Sequence, residues 1–393
     1  MNQCFNLSYL CSLRNLWIVS RLPSPASRLP SPASWVLPSA FCLLLSAHCS
    51  LSVDNFLPKH SPFPARTTTV MKAIVYHDYG SADVLKLEDV EKPVPKDNEV
   101  RIKVRAASVN PLDWRMMRGT PKIVRVVGTL MGINIGRPGV DVAGEVEAVG
   151  AKVTQFKPGD RVFGACRGAF AEYTCSAESK IAALPAGVTF EDAASVNVAG
   201  LTALQGLRDK AQLKPGQKVL INGAAGGVGT FAVQIAKHFG AEVTGVCSTR
   251  NVEMVRSIGA DHVIDYTKED FTKLPERYDV ILDNVGNKSL SECRNVLTAN
   301  GRLVIVGGPH DPSILDMLGT MFTSLAHSTF TSKKTLMFIA KAGQNDLAFI
   351  GELIAAGKLK PVIDRVYDLT ETADAVRLVE EGHARGKVIV KVS

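Results

Sequence analysis

No uninterrupted apolar run in the 393 residues approaches the about 18 that a membrane-spanning helix requires, so a helical integral membrane protein is excluded. Cysteine is scarce. Only eight occur, none spaced as Cys-x-x-Cys, and the four that follow residue 70 (Cys166, Cys175, Cys247, Cys293) are too few for a disulfide framework. A reducing compartment is the expectation. Charge of one sign is also missing: from Met71 onward 40 Lys/Arg stand against 37 acids, with no basic run, which leaves no electrostatic footprint for nucleic acid or a membrane surface. With 46% hydrophobic and 21% charged residues the chain is not a disordered one, and its length suits two or three domains of about 150 residues each.

The first seventy residues differ in composition from the rest. They hold five Lys/Arg against the single acid Asp54, with 12 serines and 8 of the 20 prolines. RLPSPAS occurs twice in tandem, Arg21 to Ser27 and Arg28 to Ser34, and its prolines break helix and strand alike. Trp35 to Ala47 resembles a secretory apolar segment, but it begins late and is broken by Pro38. Two readings stand: an upstream artefact, with translation starting at Met71, or an acid-poor, Arg-bearing organelle transit peptide. The first places the protein in the cytoplasm and the second in an organelle. In both, residues 1–70 form a non-globular extension.

From Met71 the chain reads as an all-β module, with strands at Lys72–Tyr76, Val100–Val109 and Val142–Val149 and a further strand after the turn in KPGDRVFG. The period then changes. Phe190–Gln212 reads helical, and strands at Lys218–Asn222, Glu242–Val246, His262–Ile264, Asp279–Asp283 and Arg302–Gly307 alternate with helices such as Gly227–Phe239 and Ser289–Leu297. Gly240 and Gly301 are read as left-handed caps after those two helices. Such βαβ alternation predicts an α/β protein with a doubly wound parallel sheet. The tail, with strands near Val362–Tyr367 and Lys387–Val392, is expected to return to the first module. The domains are therefore read as 71–194 plus 335–393, and 195–334.

Strand Lys218–Asn222 runs into GAAGGVG, Gly223–Gly229, and then a helix. Ala224, Gly226 and Gly229 take the three positions of a G-x-G-x-x-G fingerprint: a small residue for the tight turn, Gly226 for close approach to a pyrophosphate, and Gly229 for packing of helix on strand. Gly227 and Val228 open the helix, whose free N–H groups suit phosphate. The end of the next strand distinguishes the two nicotinamide cofactors. NAD binding calls for a carboxylate there, but the sequence reads Val246-Cys247-Ser248-Thr249-Arg250. Ser248, Thr249 and the Arg250 guanidinium would instead hold the 2′-phosphate of NADPH. Tyr266 is a candidate for stacking at the adenosine end.

Taken together, SVNPLDWRMMRG (Ser108–Gly119), PGVDVAGEVEAVG (Pro138–Gly150), FKPGDRVFG (Phe156–Gly164), GAAGGVG, DNVG (Asp283–Gly286) and the terminal GKVIV (Gly386–Val390) resemble the medium-chain dehydrogenase/reductase superfamily. The match is to its zinc-free quinone oxidoreductase branch, which includes enone reductases and proteins like zeta-crystallin. The resemblance implies a GroES-like β domain built from both ends of the body, a Rossmann domain between them, a nicotinamide in the cleft and a homodimer or tetramer, of which the homodimer is the expectation. In zinc members of the superfamily a cysteine ligand stands at the position of Asn110, and Gly-His-Glu where this chain has Gly139-Val140-Asp141. Asn110 and Val140 are not credible zinc ligands, so no metal is expected.

Without a Lewis acid, the reaction needing least help is hydride transfer to a quinone or to the β-carbon of an α,β-unsaturated carbonyl. Asn110 is a candidate donor to the substrate carbonyl or the nicotinamide ribose, with Asp113 orienting it; the alternative for both is a loop cap. The resemblance places Thr202, Asn284 and Gly308 near the nicotinamide, with Lys387 reaching it from the last strand. Some relatives carry a tyrosine shortly after the Asn-Pro pair. Here Trp114 and Arg115 follow instead, which leaves solvent water as a proton source. An alcohol or aldehyde oxidoreductase and a non-catalytic, crystallin-like dinucleotide-binding protein are the competing readings.

Overall fold

A computed structural model describes residues 69–120, 136–308 and 332–392. The repeat and nearly all of the extension, residues 1–68, lie outside the described residues.

Two sheets organise the chain. The first has six parallel strands in the spatial order His262–Asp265, Glu242–Cys247, Lys218–Asn222, Tyr278–Asp283, Leu297–Ile305 and Lys334–Met337. This is the Rossmann order, in which the chain winds outward from the middle in one direction and then in the other. Its central strands are apolar runs because helices cover both faces: Val219, Leu220, Ile221 and Asn222 are all buried. Helix Gly227–His238 presses Phe231, Ala232 and Ile235 into the same core, and the chain leaves it through Gly240, whose φ of 77° suits glycine.

The second sheet joins distant parts of the sequence. Strand Lys387–Lys391 pairs parallel with Ile363–Asp368 on one side and antiparallel with Glu99–Val109 on the other. The sheet continues through Asp141–Val149, Arg161–Ala165 and Ile181–Ala183, and Tyr173–Ala177 adds to Glu99–Val109. The tail thus completes the first module. Val388 and Val390 enter one cluster with Val100, Ile102 and Val104, so the last strand is held by burial as well as by its ladder.

Two boundaries differ from the sequence reading. Lys334–Met337 is the sixth strand of the parallel sheet, so a division between residues 334 and 335 cuts it; four residues are too short to show a period. Helix Leu290–Asn295 ends early and strand Leu297–Ile305 follows almost at once, so Asn300-Gly301 lies within a strand. Gly301 is not left-handed. A Cβ there would come within 2.9 Å of the Leu297 Cβ and 3.1 Å of the Tyr278 carbonyl oxygen, so close packing explains this glycine.

Candidate functional site

The sheet order reverses between Lys218–Asn222 and Tyr278–Asp283, the switch point outside which open α/β sheets characteristically form a ligand crevice. GAAGGVG lines one side. The tight turn belongs to Gly223, at φ 77°, and not to Ala224, which is buried with its N–H on the Val246 carbonyl oxygen at 3.0 Å. A Cβ on Gly229 would lie 2.1 Å from the Gly223 oxygen and 2.7 Å from the Ala224 Cα. On Gly226 the nearest atom would be 3.5 Å away, which leaves an open cradle beside the loop. No side chain caps helix Gly227–His238, so the first-turn N–H groups of Gly227, Val228 and Gly229 are available to an anion.

The last strand of the other sheet is clipped to this loop. The Gly386 N–H donates to the Ala225 carbonyl oxygen at 2.8 Å, and Lys387 then passes its stem over Gly227, where a Cβ would lie 3.2 Å from Lys387 Cδ. Its ammonium is buried. Lys387 Nζ donates to Asn110 Oδ1 at 2.7 Å, and it lies 3.4 Å from Asp141 Oδ2 and 3.5 Å from the Val109 carbonyl oxygen. Burial pulls the amine below the ordinary lysine range.

Asp141 is completely buried and is the hub of this cluster. Oδ2 also accepts from Ser108 Oγ at 2.7 Å and Asn110 Nδ2 at 2.9 Å; Oδ1 accepts from Asn197 Nδ2 at 2.9 Å and the Val198 N–H at 3.1 Å. These bonds tie strands Glu99–Val109 and Asp141–Val149 of the second sheet to the start of helix Asn197–Gln205. Asp141, Ser108 and Asn197 escape a reading along the chain because their partners are remote in sequence.

This network corrects the roles read for Asn110 and Asp113. The Asn110 amide is fully engaged: Oδ1 accepts from Lys387, and Nδ2 donates to Asp141 and, at 3.3 Å, to the Ser108 carbonyl oxygen. It is a wall of the site, not a free donor to a substrate carbonyl. Asp113 caps the helix Pro111–Arg118, its carboxylate accepting from the Asn110 N–H at 2.8 Å and the Gly139 N–H at 3.1 Å. It orients Asn110 through the backbone only.

Burial pushes the Asp113 carboxyl up to about 7, against the two backbone N–H groups that favour its charged form. The folded protein therefore holds this proton to higher pH than the unfolded chain, where the group titrates near about 4. Folding takes up a proton between those values, so stability falls as pH rises through that window and levels above it. Thermal melting from pH 4 to 8 should show this decline. Asp113→Asn should flatten it while lowering the melting temperature throughout, because one cap acceptor is lost.

The adenosine end departs from the sequence reading in another way. Thr249 Oγ1 lies 2.6 Å from Asp265 Oδ2, so its hydroxyl proton goes to that carboxylate and is not available to a phosphate. Asp265 ends the neighbouring parallel strand, in register with Cys247, which is why no acid is visible in the residues after Val246. Ser248 Oγ accepts from Asn251 Nδ2 at 3.2 Å and keeps its own proton to give. Arg250 is exposed, with Nη2 on the His383 carbonyl oxygen at 2.8 Å, and Tyr266, its N–H on the Cys247 carbonyl oxygen at 3.0 Å, is 60% exposed.

At the other end, Asn284 donates Nδ2 to the Asn222 carbonyl oxygen at 2.9 Å, while its buried Oδ1 has no hydrogen-bond partner among the described residues. A Cβ on Gly308 would meet nothing within 4 Å. Arg115, to which the sequence assigned nothing, reaches across with Nη2 3.4 Å from the Gly308 carbonyl oxygen, and its buried Nε is likewise unpaired. Thr202 is half-buried and spends its proton on the Val198 carbonyl oxygen at 2.6 Å, so it presents only an acceptor. An open glycine cradle, uncapped N–H groups and an orphaned buried amide oxygen at the far end suit a dinucleotide. The donor set does not suit zinc: an amide held by an ammonium, the aliphatic Val140 and a carboxylate already taking five donors.

Residues 96–186 match the family model described as the alcohol dehydrogenase GroES-like domain, and residues 258–390 match that described as zinc-binding dehydrogenase. The chain is 37% identical over 343 residues to the chloroplast envelope quinone oxidoreductase homolog of Arabidopsis thaliana, covering 82% of this chain and 98% of that protein. It is 35% identical over 335 residues to the chloroplastic NADPH-dependent alkenal/one oxidoreductase of the same plant, covering 81% of this chain and 79% of that one. Among solved structures, the quinone oxidoreductase from Coxiella burnetii superposes with a TM-score of 0.73 at 32% identity, covering 83% of this chain and all of that one. The chain belongs to the quinone oxidoreductase branch of the medium-chain dehydrogenase/reductase superfamily, a family of pyridine-nucleotide-dependent oxidoreductases.

Proposed function

We propose that this protein is an NADPH-dependent, zinc-independent reductase that delivers hydride to a quinone or to the β-carbon of an α,β-unsaturated carbonyl. The observation that carries this reading is the Lys387–Asn110–Asp141 cluster. It fills the ligand position with an engaged amide and a buried ammonium, so the acceptor must be electrophilic without a Lewis acid. The names of the two plant relatives, a quinone oxidoreductase homolog and an alkenal/one oxidoreductase, favour the same substrates.

The bound cofactor supplies the hydride, and the protein's own residues position and enclose. Gly226 and the first turn of helix Gly227–His238 take the pyrophosphate; Ser248 and Arg250 take the 2′-phosphate, with Tyr266 against the adenosine. Asn284 Oδ1 accepts from the carboxamide of the nicotinamide, with Gly308 leaving room beside it. Asn110 and Lys387 form the dry wall opposite, and the completing proton comes from solvent.

The same reading makes the protein a homodimer joined at edge strand Lys334–Met337 of the parallel sheet, which has no second partner strand among the described residues and where Met337 is 50% and Ile339 90% exposed. No helix among the described residues is long and apolar enough to cross a membrane. The chloroplast names of the relatives support import into an organelle over residence in the cytoplasm.

NADPH oxidation should be fast with quinones or enones and slow with aldehydes, and it should persist in chelator. Arg250→Ala should raise KM for NADPH roughly tenfold and leave that for NADH unchanged, the effect of one lost charge-assisted contact. Turnover of aldehydes or alcohols that is lost in chelator would favour the alcohol dehydrogenase reading. Cofactor binding without turnover of any acceptor would favour the crystallin-like one.

A further inference from the structure

Asp265 lies at the adenosine end, and the sequence reading gave it no role. It stands where the ends of two parallel strands meet, with the side chain about one-tenth exposed. Oδ2 takes the Thr249 hydroxyl at 2.6 Å, and Oδ1 takes the Thr267 hydroxyl at 2.8 Å and the Thr267 N–H at 3.1 Å. The two hydroxyl oxygens are themselves 2.9 Å apart.

Each hydroxyl has one proton, and three contacts compete for two protons. The carboxylate, as the charged acceptor, takes both. Thr249 and Thr267 then turn only lone pairs outward. The Lys268 ammonium, exposed, is 3.4 Å from Asp265 Oδ2, and the Arg250 guanidinium rests on the His383 carbonyl oxygen. These hydrogen bonds hold the carboxyl well below the usual range, at about 2, so it is ionised at any working pH.

We propose that Asp265 is a cofactor-selectivity residue that opposes the 2′-phosphate: its charge and the two hydroxyls it captures weaken NADPH binding while leaving a neutral 2′-hydroxyl unaffected. A carboxylate in this place is the group an NAD site uses for the ribose, supplied here from the adjoining strand. Asp265 thereby narrows the gap between the NADPH and NADH affinities. This inference rests on the dinucleotide reading of the crevice.

The test is titration of the full-length protein with NADPH and with NADH, following the fluorescence of each reduced cofactor, in the wild type, Asp265→Asn and Asp265→Ser. Both substitutions remove the charge and keep a group that can bond the threonines. The Kd for NADPH should fall roughly three- to tenfold in both variants, the scale of one like-charge contact near water, with the Kd for NADH unchanged or somewhat weaker. A Kd ratio equal to that of the wild type in either folded variant overturns the proposal. Loss of folded protein in both variants also overturns it, since Asp265 would then belong to the fold. Wild-type protein that binds neither cofactor overturns the dinucleotide reading itself, which distinguishes that failure from failure of the Asp265 role alone.

Discussion

Lys387→Met should lower the melting temperature by roughly 5–10 °C and cut kcat at least tenfold, the largest loss expected from a single side chain in this protein. The substitution keeps the length of the stem that passes Gly227 and removes only the ammonium. Asn110 Oδ1 loses its donor at 2.7 Å, and the carboxylate of Asp141, buried completely, loses its one cationic partner among the described residues. Breaking a buried pair typically costs about 3–5 kcal/mol because the remaining charge is left uncompensated. The lower end applies here, since Asp141 still accepts from Ser108, Asn110, Asn197 and Val198.

Removing both charges should reverse much of this. In Lys387→Met/Asp141→Asn, no buried ion remains, and the Asn110 amide can flip so that its oxygen accepts from the new amide, at the loss of its long bond to the Ser108 carbonyl oxygen. The double variant should recover at least half of the lost melting temperature, a coupling well above the about 0.5 kcal/mol within which independent sites add. Turnover should stay low, because the flipped amide changes the wall of the site. A double variant no more stable than Lys387→Met would show that the ion pair is not what the single substitution breaks. Full turnover in Lys387→Met would remove the cluster from the reaction.

Two glycines of the Gly223–Gly229 loop should fail in different ways. Gly229→Ala puts a methyl group 2.1 Å from the Gly223 carbonyl oxygen and under 3 Å from the Ala224 backbone, and none of these atoms is a side-chain end that can swing away. The helix must shift from its strand, at a cost of about 1–3 kcal/mol in overpacking, and the loop moves with it. Melting temperature and affinity for NADPH should both drop, the affinity by roughly a hundredfold if most of that strain falls on the bound state. At Gly226 the nearest protein atom would be 3.5 Å away. Gly226→Ala should therefore melt like the wild type and lose affinity alone, since only a phosphate would meet the new methyl. Calorimetric melting beside cofactor titration separates the two. Equal melting losses in both variants would mean that the loop is shaped by packing and not by what it binds.

The parallel sheet was legible because its evidence is local. Residues 218–222 and 278–283 are short apolar runs, helix Gly227–His238 carries its own period and stop signal, and the glycine spacing after Asn222 sits at a strand-to-helix junction. The return of the tail to the first module was legible from the same kind of pattern, with Val388 and Val390 alternating in the last strand. Strand Lys334–Met337 was not, since four residues at a sheet edge take their conformation from the neighbour they pair with.

The sequence by itself determined the architecture and the place of the glycine-rich loop at a strand-to-helix junction, because both depend on residues close together in the chain. The tertiary structure decided the chemistry at both ends of the crevice. Asp265 reaches Thr249 only through the register of two parallel strands, and Lys387 reaches Asn110 and Asp141 only because the last strand closes the first sheet. A hydroxyl that looks free in the sequence is spent once a carboxylate lies 2.6 Å away, and an amide that looks like a donor to substrate is spent once an ammonium and a carboxylate hold its two ends. Hydrogen-bonding capacity is a property of neighbours in space, and for Lys387 those neighbours are up to 278 residues away along the chain.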